Sequence, residues 1–261
     1  NRDKTTALAR KYSCRAFETP EELLKTAGTD IVTIATPSGA HLEPVLEAAR
    51  YGKHVLCEKP LAETYEKADE MARAAEASGL VAMVNLTYRN VAEVQKARQM
   101  VLAGEIGQVR HFEASYLQSW LTQPAWGDWK TDPKWLWRVS TAHGSKGVLG
   151  DVGIHILDFA TFIAGQDAEA VSCLLKIFDK APGGKIGEYV LDANDSATMQ
   201  IVLDNGALGT VAATRFATGH LNDLRLRIYG DQGGLEVGFE NRVSRLRACL
   251  TPDPQTATWH E

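Results

Sequence analysis

Apolar residues in the first third of the chain come in short bursts separated by longer periodic stretches. Residues 30–36 (Asp-Ile-Val-Thr-Ile-Ala-Thr) form a β-branched run that suits a buried parallel strand. Leu42, Val45, Leu46 and Ala49 then recur at helical spacing, with Gly52 placed to end the helix. Residues 54–57 read as the next short strand, 64–78 as a helix stopped by Gly79, and 80–84 as a further strand. Strand and helix alternating at this pace predict βαβ units and a parallel sheet. Upstream, Thr19-Pro20-Glu21-Glu22 carries an N-cap, a proline at the first helical position and a capping-box glutamate. The chain opens at Asn1, at the edge of a helix.

The pattern changes near residues 86–90. A helix ending near Gly104 leads into a strand-like stretch at 108–118, and a helix follows at about 150–164. Beyond Gly165 the signal is strands, at 170–178, 195–203, 207–216, 224–229 and 235–239, with Asn205-Gly206 as a hairpin turn between two of them. The fold expected is thus α/β plus α+β. A partial Rossmann-type parallel sheet (residues 1–88) precedes a domain with a large, mostly antiparallel sheet and helices on one face (89–261).

Composition narrows the function classes. The 261 residues are 44% hydrophobic and 23% charged, with a net charge of −5 and no block of like charge. A basic face for nucleic acid or an anionic membrane is not suggested. No run approaches the roughly 18 apolar residues of a bilayer span, and the N-terminal residues lack a secretory pattern. Cys14, Cys57, Cys173 and Cys249 are scattered without framework spacing, which points to reduced thiols in a cytoplasmic protein.

Four places could carry chemistry. Asp151 and His155 stand four apart on the 150–164 helix and so share a face, which Asp158 continues; Ile156, Phe159, Ala160 and Ile163 form the opposite, core-facing stripe. A carboxylate beside an imidazole orients the ring for proton transfer, although a solvated surface pair is the commoner meaning of this motif alone. Glu58-Lys59-Pro60 sits where strand 54–57 ends, and open parallel sheets bind ligands beyond their carboxyl ends. Lys59 there could meet an oxygen gaining negative charge, or be an ordinary loop lysine. Thr36-Pro37-Ser38-Gly39-Ala40-His41 also follows a strand, with Ser38 a candidate N-cap. Its helix start could face a cofactor edge or simply be a capped turn. Finally, residues 120–137 hold five of the six tryptophans. Most of these suit packing, and Trp137 is the exception that could stack on a sugar. A metal site lacks a third ligand near Asp151 and His155 in sequence.

These motifs, in this order, resemble the Gfo/Idh/MocA oxidoreductases. The matching residues are Thr36-Pro37 with His41, Glu58-Lys59-Pro60, Trp137-Arg138, and Gly147 through His155. Asp195 through Gly234 also looks like the family's sheet. Glu-Lys-Pro followed about ninety residues later by Asp-x-Gly-x-His is fairly specific as a combination.

The resemblance implies a dinucleotide-binding domain, a substrate domain, and an active site between them. It implies transfer of a hydride between NAD or NADP and a hydroxyl or carbonyl of a sugar, sugar derivative or cyclitol. Lys59, Asp151 and His155 would be catalytic: His155 the base, Asp151 its orienting carboxylate, Lys59 the stabiliser of the alkoxide. Thr36, Pro37, Ser38, His41, Glu58 and Lys59 would border the cofactor, and Arg89, Trp137 and Arg138 would lie near the nicotinamide or the substrate. The alternative is a non-catalytic sensor of the same fold, like the galactose-pathway repressor of yeasts. That reading gives no chemical reason to keep the Lys59–Asp151–His155 set.

The Gly-rich turn of the G-x-G-x-x-G kind that opens this family does not occur here. Asn1 aligns just after the second strand of that domain, so we expect the sequence to be a portion of a longer protein. The open sheet face of the second domain needs covering, which predicts a homodimer or homotetramer.

Overall fold

A computed structural model describes residues 2–250 and 258–261. It divides into two units, residues 1–86 and 87–261.

The first unit opens with helices α1 (Arg2–Lys11) and α2 (Pro20–Thr26). Thr19 caps α2 by accepting from the Glu22 N–H at 3.1 Å. The Glu22 carboxylate reaches back one residue beyond the cap, to the Glu18 N–H. Strand β1 (Ile31–Ile34), helix α3 (Leu42–Arg50), strand β2 (His54–Cys57), helix α4 (Tyr65–Ser78) and strand β3 (Ala82–Val84) follow in the expected alternation. The strands form a parallel sheet in the order β1-β2-β3, with Ile34 opposite Cys57 and Cys57 opposite Val84. Val45 and Ala48 of α3, Met71 of α4, and Ile34, Val55 and Cys57 of the sheet make one small core. Gly79 ends α4 at a φ of 64°, in the left-handed region that glycine enters without penalty.

The second unit begins with α5 (Ala92–Leu102), β4 (Val109–Leu117) and the short α6 (Pro133–Leu136). Then come α7 (Ile154–Ala164), β5 (Ala168–Lys176), the two-residue strands β6 (Lys185–Ile186) and β7 (Tyr189–Val190), β8 (Ser196–Leu203) and β9 (Leu208–Thr214). The chain continues through β10 (Asp223–Gly230), β11 (Gly233–Glu240) and β12 (Val243–Leu250). Seven strands form one sheet in the order β12-β11-β10-β4-β9-β8-β5. Only the central β4–β9 pair is parallel. Helices α5 and α7 cover one face, where Phe112, Ile201, Leu203, Val211, Leu224, Leu226 and Ile228 meet Ile156, Phe159 and Ile163.

Three sequence expectations need correction. The helix expected over 150–164 begins only at Ile154, because residues Leu149–Gly153 form a π turn in which the Ile154 N–H bonds to the Leu149 carbonyl. Ser38 does not cap α3: a 3-10 turn, Ser38–Ala40, intervenes and His41 stands at the helix start. Strand β12 was not expected. It returns from β11 through Asn241 and Arg242, both at positive φ (51° and 66°), a two-residue hairpin made without glycine and so without a turn signal.

The outward face of the sheet is divided. On β10–β12 it carries ion pairs, Arg225 with Glu240 and Arg227 with Glu236. At the other edge, β5 exposes Leu174 on this face, and Val171 and Leu175 on the opposite one.

Candidate active site

The alternation of inward residues explains where the site forms. Along β8, Ala197, Met199, Ile201 and Leu203 point into the core, and Asp195 continues that parity just before the strand. Along β9, Val211 and Ala213 are followed by Arg215; along β4, Phe112 and Ala114 by Tyr116 and Gln118; along β10, Leu224 and Leu226 are preceded by Asn222. The strand directions bring all these polar positions to one end of the sheet, so the core turns from hydrocarbon to hydrogen-bonding groups there. The π turn and the start of α7 pack over that end.

Asp151 lies in the π turn and His155 in the first turn of α7. The turn is fixed from below. The Val148 N–H bonds to the Asn194 carbonyl at 2.8 Å, and the Leu149 N–H to Asn194 Oδ1 at 3.1 Å. Gly147 has a φ of 66°, and a Cβ there would come within 2.3 Å of the Asn194 amide. The glycine is therefore required on both backbone and steric grounds.

Arg215 was not singled out by sequence, although an arginine in an inward β position was the available signal. It is 0% exposed. Its Nη2 donates to Asp151 Oδ2 at 3.0 Å and to the Gly147 carbonyl at 3.3 Å, its Nη1 to the Arg138 carbonyl at 2.9 Å, and its guanidinium lies 4.9 Å from the Trp120 ring centroid. Burial pushes this guanidinium down from its ordinary value, and the carboxylates of Asp151 and Asp195 oppose the shift. Asp195 is itself paired with Lys180, Nζ to Oδ2 at 2.5 Å, with both side chains fully buried.

Beside His155 stands an aromatic and amide network. The Tyr88 ring meets the imidazole edge-on, centroids 5.2 Å apart at 89°, and Tyr116 lies at 6.3 Å. Tyr116 donates to Asn222 Oδ1 at 2.6 Å, and the Gln118 amide donates to the same oxygen at 2.8 Å. The Asn222 amide donates to the Tyr88 hydroxyl at 3.2 Å. Burial raises both phenols, Tyr116 the more, so both are neutral hydrogen-bonding groups at ordinary pH.

The remaining expected residues fall as follows. Arg138 stacks over Trp135 and Trp137, at 5.2 and 4.6 Å, with its Nε 3.9 Å from Asp151 Oδ2. Trp137 is 39% exposed, whereas Trp120 and Trp129 are buried in a satellite core. Arg89 is held on Asp158, Nε to both carboxylate oxygens at 3.0 Å, and lies over Phe162. In the first unit, Thr36, Pro37 and Ser38 follow β1 and Lys59 follows β2, at the carboxyl ends of the parallel strands. Glu58 braces that end by accepting from the Asn85 amide at 2.6 Å. His41 is buried, its ring nitrogens 2.8 and 3.1 Å from the Thr36 and Leu61 carbonyls, and so it ties the two loops together. Among the described residues no group of three or more His, Cys, Asp or Glu side chains could hold a metal ion. No helix there is long and apolar enough to cross a membrane.

A partial parallel sheet with its loops at the carboxyl ends, followed by a sheet domain carrying an Asp-x-Gly-x-His turn, defines a class of oxidoreductase. The chain belongs to the GFO/IDH/MocA family: residues 94–236 match the GFO/IDH/MocA C-terminal domain, and residues 1–86 match the oxidoreductase family's NAD-binding Rossmann fold. It is 32% identical over 238 residues to levoglucosan dehydrogenase of Pseudarthrobacter phenanthrenivorans, across 85% of this chain and 58% of that protein. It is 27% identical over 252 residues to scyllo-inositol 2-dehydrogenase (NAD(+)) of Bacillus subtilis, across 94% of this chain and 67% of that one. Among solved structures, levoglucosan dehydrogenase in complex with NADH and L-sorbose superposes with a TM-score of 0.85 at 30% identity, over 100% of this chain and 67% of that chain. The chain thus spans about two thirds or less of the length of these relatives.

Proposed function

We propose that the protein transfers a hydride between NAD or NADP and a hydroxyl-bearing carbon of a sugar, sugar derivative or cyclitol, with Lys59, Asp151 and His155 as its catalytic set. The observation that carries this reading is the placement of Asp151 and His155 at the polar end of an otherwise apolar core, with Asp151 held on Arg215 at 3.0 Å. The named relatives act on compounds of this kind.

A bound nicotinamide supplies the hydride acceptor or donor. The residues at the carboxyl ends of β1, β2 and β3 suit a dinucleotide, because loops there present polar groups rather than sheet-packing side chains. Thr36, Pro37, Ser38, Glu58 and Lys59 would line its edge, and His41 would keep the loops in place. In oxidation His155 takes the hydroxyl proton. Asp151 remains a carboxylate and favours the imidazolium that results. Lys59 places its ammonium against the oxygen as negative charge develops. The Tyr88–Tyr116–Asn222–Gln118 network supplies donors and acceptors for further hydroxyls, and the exposed part of Trp137 an apolar face for ring C–H groups. Arg138 and Arg89 would border the nicotinamide or substrate, through groups already engaged at Asp151 and Asp158.

A cytoplasmic setting goes with the four unpaired cysteines, and a homodimer or homotetramer with the exposed apolar side chains of β5. The test of function is nicotinamide reduction by the full-length protein with either cofactor, across aldoses, anhydrosugars, inositols and sugar acids, beside Lys59→Ala and His155→Asn. Turnover of one class, lost in both variants, is expected. Cofactor binding without turnover of any polyol in either direction would replace this reading with that of a sensor.

A further inference from the structure

We infer that Arg215 is a positioning residue for this reaction: it keeps Asp151 ionised and fixes the π turn that carries it. The inference rests on the proposed role of Asp151 and adds a residue that acts through it.

The first argument is cost. A guanidinium taken wholly out of water is expensive, and replacing a buried charged group with a hydrocarbon is often neutral or stabilising. Every inward neighbour of Arg215 along β9 is apolar, so the strand itself does not call for a cation there. Its bonding explains its presence better. One planar fork reaches three acceptors on three separate stretches: the Arg138 carbonyl, the Gly147 carbonyl and the Asp151 carboxylate. Only a guanidinium matches that geometry. It sets where the tryptophan-rich segment, the glycine before the π turn and the turn itself lie relative to one another.

The second argument is charge. From the end of β9, Arg215 faces Asp151 at hydrogen-bond distance, and Arg138 approaches the same oxygen at 3.9 Å from the turn after α6. Tyr116 faces Asp151 from β4, His155 follows it on α7, and Tyr88 stands behind His155. Behind Arg215, Asp195 accepts the Arg215 backbone N–H at 3.0 Å through its own carbonyl, and its side chain is neutralised by Lys180. The series Lys180, Asp195, Arg215, Asp151, buried as far as Arg215 and partly exposed at Asp151, therefore alternates in sign. An opposite charge this close favours the ionised carboxylate, and a nearby cation also disfavours protonation of His155. Removing Arg215 raises both affinities for the proton, so the acid limb of the oxidation moves to higher pH.

The test uses full-length protein and the pH dependence of kcat and KM for polyol oxidation in Arg215→Lys, Arg215→Met and Asp151→Asn. Arg215→Met is expected to move the acid limb of kcat/KM upward by about one pH unit. Its kcat should fall by about tenfold to a hundredfold, with a much smaller change in KM. Arg215→Lys keeps the charge and loses the fork, so its acid limb stays in place while kcat still falls. A role confined to folding would move neither the limb nor the kcat of molecules that fold. If Arg215→Met does not fold, Arg215→Lys decides alone: a lowered kcat with KM held supports the inference, and wild-type kcat overturns it. Inactive Asp151→Asn together with wild-type profiles in the Arg215 variants overturns the inference only. Wild-type kcat in Asp151→Asn overturns the catalytic role of Asp151, and this inference with it.

Discussion

The hydroxyls of Tyr88 and Tyr116 lie 2.8 Å apart, and both rings stand against His155. Tyr88 comes from the 3-10 turn before α5 and Tyr116 from the end of β4, so the contact closes one side of the imidazole with groups that carry no charge.

Asn222 holds this pair together, and its loss should be felt more than that of either phenol. Asn222→Ala removes the acceptor of Tyr116 and Gln118 and the donor to Tyr88. A destabilisation of about 1–3 kcal/mol is expected from the groups left without partners. Tyr88→Phe removes one hydroxyl and should cost about 1 kcal/mol. Urea denaturation of the full-length protein measures both. An Asn222→Ala protein as stable as wild type would show that the network does not form.

Gly147→Ala should disturb the catalytic turn directly. The new methyl meets the Asn194 amide at a backbone φ that alanine disfavours. We expect a loss of stability of about 1–3 kcal/mol and a fall in kcat, because Asn194 also anchors the N–H groups of Val148 and Leu149. Alanine at Gly206, which has nothing within 4 Å of its Cβ position, has only the positive φ to overcome and should cost less in stability without touching kcat.

The Lys180–Asp195 pair gives a prediction about the core alone. Lys180→Met leaves the Asp195 carboxylate buried with only the Phe178 N–H on that oxygen. The expected cost is roughly 3–5 kcal/mol, and Lys180→Met/Asp195→Leu should recover part of it because no charge is then stranded. Equal stability of the single and double variants would show that the pair is not buried as described.

Thiol labelling separates the cysteines. Burial, with Glu58 nearby, pushes the Cys57 thiol up to about 11, so at pH 8 very little thiolate is present and reaction is slow. Cys14 is exposed and should label at once. Cys173 lies on β5, the strand proposed to be covered by a second copy of the chain. Slow labelling of Cys173 in the wild type, made fast by Leu174→Glu along with a smaller hydrodynamic size, supports that assembly; fast labelling in both speaks against it.

Local physics made the scaffold legible in the sequence. Runs such as residues 31–34 and 54–57, helices with a single apolar stripe, and stops at Gly79 and Gly165 each follow from the chain nearby. The inward stripe of Ile156, Phe159, Ala160 and Ile163 was set by helical period, whereas the spacing of Asp151 and His155 was not, because Asp151 stands in the π turn and not in the α-helix. The resemblance added the family, and the family match bears that out.

Other features depended on which strands become neighbours. The π turn needs Asn194, forty-five residues downstream of Leu149, to hold its N–H groups. The β11–β12 hairpin turns through an arginine at positive φ that packing and pairing impose. Arg215, Asp195, Gln118 and Asn222 look in sequence like polar residues at strand ends, where solvent is the ordinary partner. Only the strand order β10-β4-β9-β8 gathers them at one buried end. There water cannot satisfy them, and they must bond to one another and to the turn that carries Asp151.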